Sequence, residues 1–135
     1  MKVFLDTNVL VSAFASRGLC ADLFELVLLD HDLVLGRNVL REMSKALRGK
    51  LKVSATHASQ IIDFVAAEAV QVVERADPVE ADVEADDALV LGEALAAQAE
   101  IFVTGDAALL DVGRIDGLLM VSPRRFWEIL HSVER

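Results

Sequence analysis

Short, unbroken apolar runs alternate along this chain with longer stretches whose apolar positions recur every three or four residues. The first pattern reads as strands buried on both faces and the second as helices that cover them. Their alternation predicts an α/β domain on a parallel sheet. Strands are expected at Val3–Leu5, Leu33–Leu35, Val70–Val73, Ile101–Thr104 and Leu118–Val121. Helices are expected over Leu19–Leu29, which is apolar nearly all round, over the amphipathic Val39–Leu47, and over Ala55–Ala69 and Asp87–Ala97. A last helix should follow Ser122, a favoured cap, with Pro123 in its first turn. Its Phe126 and Trp127 read as packing residues. The segment from Asp77 to Glu84 is the clearest irregular connection and is expected to be mobile.

With 135 residues, 54% of them hydrophobic, the chain fits one domain over residues 1–135. No repeat or low-complexity tract divides it. The single cysteine, Cys20, has no internal partner and stands among Leu19, Leu23 and Phe24. A reduced, buried thiol is expected, and with it a cytoplasmic setting. The opening MKVFLDTNVL has its apolar run cut short by Asp6, so it reads as neither a secretion signal nor a membrane span.

The net charge of −9 argues against tight, non-specific binding to nucleic acid, yet the charge is unevenly spread. Six of the 13 basic residues fall between Arg37 and Lys52, whereas Glu74 to Asp87 holds seven acids and a single arginine, Arg75. Two differently charged surfaces follow.

Four acidic positions fall where such a fold would gather them: Asp6 after the first strand, Glu42 on a helix, Asp86-Asp87 at a helix start, and Asp106 after the fourth strand. Ligands of open parallel sheets bind beyond the carboxyl ends of the strands. Each aspartate also suits a helix cap, and Glu42 suits a surface pair with Lys45. These roles do not exclude a site. On a helical projection Glu42 stands at the border between the apolar Val39, Leu40, Met43, Ala46 and Leu47 and the basic Arg41, Lys45 and Arg48, so it can lean over the sheet edge.

Two like charges about 4 Å apart repel by about 4 kcal/mol at an effective dielectric of about 20, so a carboxylate cluster persists only with a cation, protons or a function. Carboxylates without cysteine or histidine suit Mg²⁺ or Mn²⁺. Ions so held activate water against a phosphodiester. Arg37, Arg41, Lys45 and Arg48 are the candidate phosphate contacts, with Arg17 a weaker one. His31, His57 and His131 lack metal-ligand spacing. A phosphoacceptor receiver domain would need an acidic pair after the first strand and a late lysine, and a haloacid-dehalogenase-like phosphatase a second aspartate where Asn8 stands. No lysine follows Lys52, so neither pattern is met.

The segments VFLDTNVLVSAF, LREM, EADDALVLGEALAAQAEIFVTGDAALL and SPRRFWEIL resemble the PIN-domain family over essentially the whole chain, above all its bacterial toxins of toxin–antitoxin pairs. The D-T-N-V-L and T-G-D motifs are quite specific, and R-E alone is weak. The resemblance implies a three-layer fold similar to FEN-type nucleases, with a central parallel sheet in the order 3-2-1-4-5 and helices on both faces. It implies an acidic quartet that binds Mg²⁺ or Mn²⁺ and cleaves RNA. By position Asp6, Glu42, Asp87 (or its neighbour Asp86) and Asp106 match that quartet, and Asn8 and Thr104 match its polar supports. It further implies a homodimer and an antitoxin protein as partner, the alternative being a non-catalytic module of the same fold that binds RNA or protein. Two departures stand out. Glu84-Ala85-Asp86-Asp87 replaces a common D-P-D-D and leaves the third ligand open, and Ala108 replaces a further acid, which thins the metal shell.

Overall fold

Strands β1 (Lys2–Leu5), β2 (Asp32–Gly36), β3 (Gln71–Val73), β4 (Ile101–Val103), β5 (Arg114–Ile115) and β6 (Leu118–Val121) form a single sheet in the order β3-β2-β1-β4-β6-β5 in the computed structural model, which describes residues 1–132. Every pairing is parallel except that of β5 with β6. The five expected strands therefore keep the order 3-2-1-4-5, with β6 as the fifth. The added β5 is an edge strand of two residues, joined to β6 through Asp116-Gly117, whose φ angles of 46° and 86° are both positive. A two-residue hairpin with left-handed central residues matches the right-handed twist of its strands.

The helices are α1 (Thr7–Ala15), α2 (Leu19–Asp30), α3 (Arg37–Gly49), α4 (Ala55–Glu68), α5 (Ala85–Ala96), α6 (Ala107–Val112) and α7 (Pro123–Ser132). From β1 to β3 the sheet grows in one direction, and from β3 through β4 to β6 in the other. Right-handed crossovers therefore set α1 to α4 on one face and α5 and α6 on the opposite face. Helix α7 returns to pack against α2. None of these helices is long and apolar enough to cross a membrane.

The central strands are buried throughout, from Val3 to Leu5, Leu33 to Leu35 and Ile101 to Val103. Phe4 and Phe102 stack across β1 and β4 with ring centroids 5.1 Å apart. Each such buried side chain contributes roughly 1.5–3 kcal/mol by the area it removes from water. The register that this packing fixes sets Leu5 opposite Val103, and the Asp6 N–H donates to the Val103 carbonyl at 2.9 Å. The ends of β1 and β4 are thereby level, which decides where Asp6 and Asp106 stand.

Four expectations need correction. Cys20 is free but only half-buried, because it occupies the first turn of α2 at the edge of the core. The segment from Asp77 to Glu84 is irregular as expected but anchored at its start, since the Val79 N–H donates to the Ala88 carbonyl at 3.0 Å and Gly92 lets the Asp77 carbonyl press against α5. Helix α5 begins two residues early, at Ala85, so Glu84 takes the cap position and Asp86 and Asp87 fall in the first turn. Strand β3 begins at Gln71, leaving Val70 exposed beside it.

Candidate metal centre

Asp6, just after β1, and Asp106, shortly after β4, each cap a helix as well as standing at the sheet edge. Asp6 caps α1, its Oδ1 accepting the Thr7 N–H at 2.9 Å. Asp106 caps α6, its Oδ1 accepting the N–H groups of Ala108 and Leu109 at 2.8 and 3.3 Å. Thr104 joins the two ends. Its hydroxyl donates to Asp6 Oδ2 at 2.7 Å and accepts the Asp106 N–H at 3.0 Å. Caps leave the second carboxylate oxygen or its outer lone pairs free for a ligand.

Glu42 approaches from α3, as the border position on that helix predicts. Its Oε2 accepts the Thr7 hydroxyl at 2.9 Å, and it forms no ion pair with Lys45 among the described residues. Asp87 approaches from the first turn of α5, half-buried. Asp6, Glu42, Asp87 and Asp106 together line a cavity of about 370 Å³, with Asn8, Lys45 and Lys50 also in its wall. Asp86 is exposed and does not line it, nor does Arg48. Arg37 and Arg41 stand in a different cavity, beside Arg75.

The electrostatics follow from this convergence. Burial, with Asp6 only 7% exposed, pushes its pKa up, the bonds from Thr104 and Thr7 oppose the shift, and the charges of Glu42 and Asp106 add to it. Asp87 is raised from the ordinary 3.8 to about 6, first by desolvation and then by Asp106, Asp6, Glu84 and Glu42. Negative charge in this cavity is thus undercompensated by the protein alone. Among the described residues no three acidic, histidine or cysteine side chains converge tightly enough to hold an ion by themselves. A donor set made only of carboxylate oxygens has the chemistry of a site for a hard divalent cation that keeps several of its waters, as Mg²⁺ does with one or two carboxylates. Asp6 and Asp106, with Asp87 and Glu42 facing them, are the residues that would hold it.

Four participants escaped the sequence reading. Thr7 was hidden inside the D-T-N motif, although its place in the first turn after Asp6 pointed to the same cavity. Lys50 was counted only as part of a basic run. Arg75 was masked by the acids around it. Glu93 is 1% exposed and accepts the Asn38 N–H at 3.0 Å, and nothing local set it apart from the other acids of α5.

The family model for the PIN domain matches residues 2–108. Among solved structures, the chain is similar to VapBC2 from Rickettsia felis bound to a DNA fragment from its promoter, with 15% identity, a TM-score of 0.63, and 90% of this chain and 98% of that one covered. It is similar to VapBC-1 from nontypeable Haemophilus influenzae, with 17% identity, a TM-score of 0.63, and 92% and 99% covered. It is also similar to FitAB bound to a DNA fragment, with 18% identity, a TM-score of 0.62, and 90% and 94% covered. No curated protein matches the chain in sequence. At these identities the structural likeness speaks for the fold, and it agrees with the sequence match over most of the chain. The chain belongs to the PIN domain family.

Proposed function

We propose that this protein is a divalent-metal-dependent endoribonuclease and the toxin of a toxin–antitoxin pair, acting in the cytoplasm. The observation that carries the reading is the cavity lined by Asp6, Glu42, Asp87 and Asp106, in which Asp87 is pushed up to about 6. Carboxylates so crowded are costly unless a cation or a reaction uses them.

Mg²⁺ or Mn²⁺ bound there supplies an acidified water and offsets negative charge on a phosphodiester. The chain's own residues do the rest. Asp6 and Asp106 are held rigid by the caps and by Thr104, so their free lone pairs point at a fixed place. Thr7 fixes Glu42 across the cavity from the sheet edge. Lys45 and Lys50 in the cavity wall attract a phosphate that the carboxylates alone would repel. Asp87, raised to about 6 by burial and by its acidic neighbours, faces the other three carboxylates in the same cavity and would join them in holding the ion and its water. In the net reaction the water oxygen joins phosphorus, the bond from phosphorus to the leaving oxygen breaks, and that oxygen takes up a proton.

The antitoxin partner rests on the likeness to VapBC and FitAB complexes, and the homodimer on an apolar groove between α2 and α7. The rival reading, a non-catalytic module that binds RNA or protein, draws on the absence of a tight three-ligand cluster among the described residues. Incubating the protein with a mixed single-stranded RNA pool and Mn²⁺ separates the two. Cleavage that is lost with chelator and in Asp6→Asn is expected. An uncut pool over a range of metal and protein concentrations would leave the non-catalytic reading.

A further inference from the structure

The arginine cavity at the start of α3 takes no part in the carboxylate chemistry. Arg37, Asn38 and Arg41 of α3 and Glu74, Arg75 and Asp77 beyond β3 wall a space of about 450 Å³. The Arg37 guanidinium donates to both oxygens of Glu74, at 3.0 and 2.6 Å. A carboxylate thus already fills one fork in the two-pronged manner that phosphate also takes.

Arg41 is held in place from within. Its guanidinium donates to Asn38 Oδ1, and Asn38 is gripped in turn by Glu93, whose Oε2 accepts the Asn38 N–H at 3.0 Å and the side-chain amide at 3.3 Å. Glu93 is 1% exposed, and its Oε1 is buried without a hydrogen-bond partner among the described residues. Burying a carboxylate this way is expensive. The chain nevertheless makes room for it, because a Cβ at Gly36 would stand 2.1 Å from the Glu93 carboxyl carbon. The carboxylate also sits at the N-terminus of α3, where no acid of that helix's own first turn is present to meet the dipole. Helix α3 joins the two cavities, with Arg41 in one and Glu42, the next residue, in the other.

We infer that the arginine cavity is a second subsite, which takes a backbone phosphate of the RNA strand away from the scissile bond, with Arg37, Arg41 and Arg75 as its contacts and Glu93 positioning Arg41 through Asn38. This rests on the ribonuclease reading. Glu74 is the resident anion that the phosphate displaces, since an exposed ion pair is a weak tie. Arg75, the lone base of an acidic stretch, acquires a purpose here.

Fluorescence anisotropy of a labelled single-stranded RNA, titrated with the protein in chelator over a salt series, tests this without turnover. Arg75→Ala should weaken binding several-fold and flatten the slope of log Kd against log salt by about 0.7, the loss of one phosphate contact on a single strand. Glu74→Gln should tighten binding. Glu93→Ala should weaken binding, Glu93→Gln should restore most of it, and Glu93→Ala added to Arg41→Ala should cost no further affinity, because both remove the same contact. Unchanged affinity and slope in Arg75→Ala, in a parent that binds and cleaves RNA, would overturn the subsite and leave the nuclease standing. Additive losses for Glu93→Ala and Arg41→Ala would overturn the positioning role. A parent that neither binds RNA in chelator nor cleaves it with Mn²⁺ overturns both readings.

Discussion

The Thr104 hydroxyl donates to Asp6 Oδ2 at 2.7 Å, tying the residue that follows β4 to the aspartate that follows β1. The Thr104 Oγ1 in turn accepts the Asp106 N–H, so one hydroxyl orients two acids of the cavity at once. Thr104 is fully buried. Thr104→Val keeps the shape but leaves a buried carboxylate oxygen and an N–H unpaired, at a cost of about 1–3 kcal/mol for each. Mn²⁺ affinity measured by calorimetry should fall about 10–100-fold, as it does when groups orienting a metal's ligands are removed. An unchanged affinity would mean that Asp6 is not a ligand.

Asp6→Asn should abolish cleavage while keeping the fold. Asp6 is buried beside Glu42 and Asp106, and its raised pKa reports that its charge is disfavoured there. Removing that charge relieves repulsion, and the amide oxygen can still cap α1. The metal-free variant should therefore melt no lower than the metal-free parent. A variant that cuts RNA as fast as the parent would remove Asp6 from the site.

The sequence showed the five parallel strands because their apolar runs are unbroken, and it showed the four acids because three follow or open elements at one sheet edge. It hid β5, which is too short to carry a pattern, although Ile115-Asp116-Gly117-Leu118 held the hairpin signal in its Asp-Gly pair. It put Asp87 first but kept Asp86 as the alternative, since only the start of α5 at Ala85 decides which of them turns to the cavity. It merged the basic residues into one face, whereas the turn of α3 divides Arg37 and Arg41 from Lys45. Arg75 and Glu93 depend on contacts between distant segments, which no local pattern carries.

Metal binding and pH should be coupled through Asp87. Its folded pKa of about 6 exceeds the ordinary 3.8, so protons favour the folded state: the contribution of this group is full below about 3.8 and is lost as pH rises through about 6. Metal-free protein should accordingly gain from this site on mild acidification, while bound Mg²⁺ or Mn²⁺ should stabilise it near neutrality. At about 100 times its dissociation constant the ion adds about 2.7 kcal/mol. Below pH about 6 the affinity should drop by up to about tenfold per unit for one displaced proton. Calorimetric affinities that stay flat from neutral pH to about 5 would uncouple Asp87 from the metal.

Self-association should run through α2 and α7. Leu23, Phe24 and Val27 of α2 face the core, but Leu29 is 73% exposed and shares with Leu26, Trp127 and His131 a groove of about 340 Å³. The flanks differ in charge, with Asp22, Glu25 and Asp30 on α2 and, on α7, Arg124 and Arg125, the latter paired with Glu128. A two-fold interface would lay α2 of one protomer along α7 of its partner, with acids meeting bases twice and the apolar strip between them covered. Sedimentation of the parent at high micromolar concentration should show a dimer that weakens with salt, and Leu29→Arg should shift it to monomer by placing a charge in the strip. The cavity of Asp6 and Asp106 lies outside this surface, so the monomeric variant should keep its Mn²⁺ affinity. A parent that remains monomeric throughout would remove the dimer while leaving the metal centre untouched.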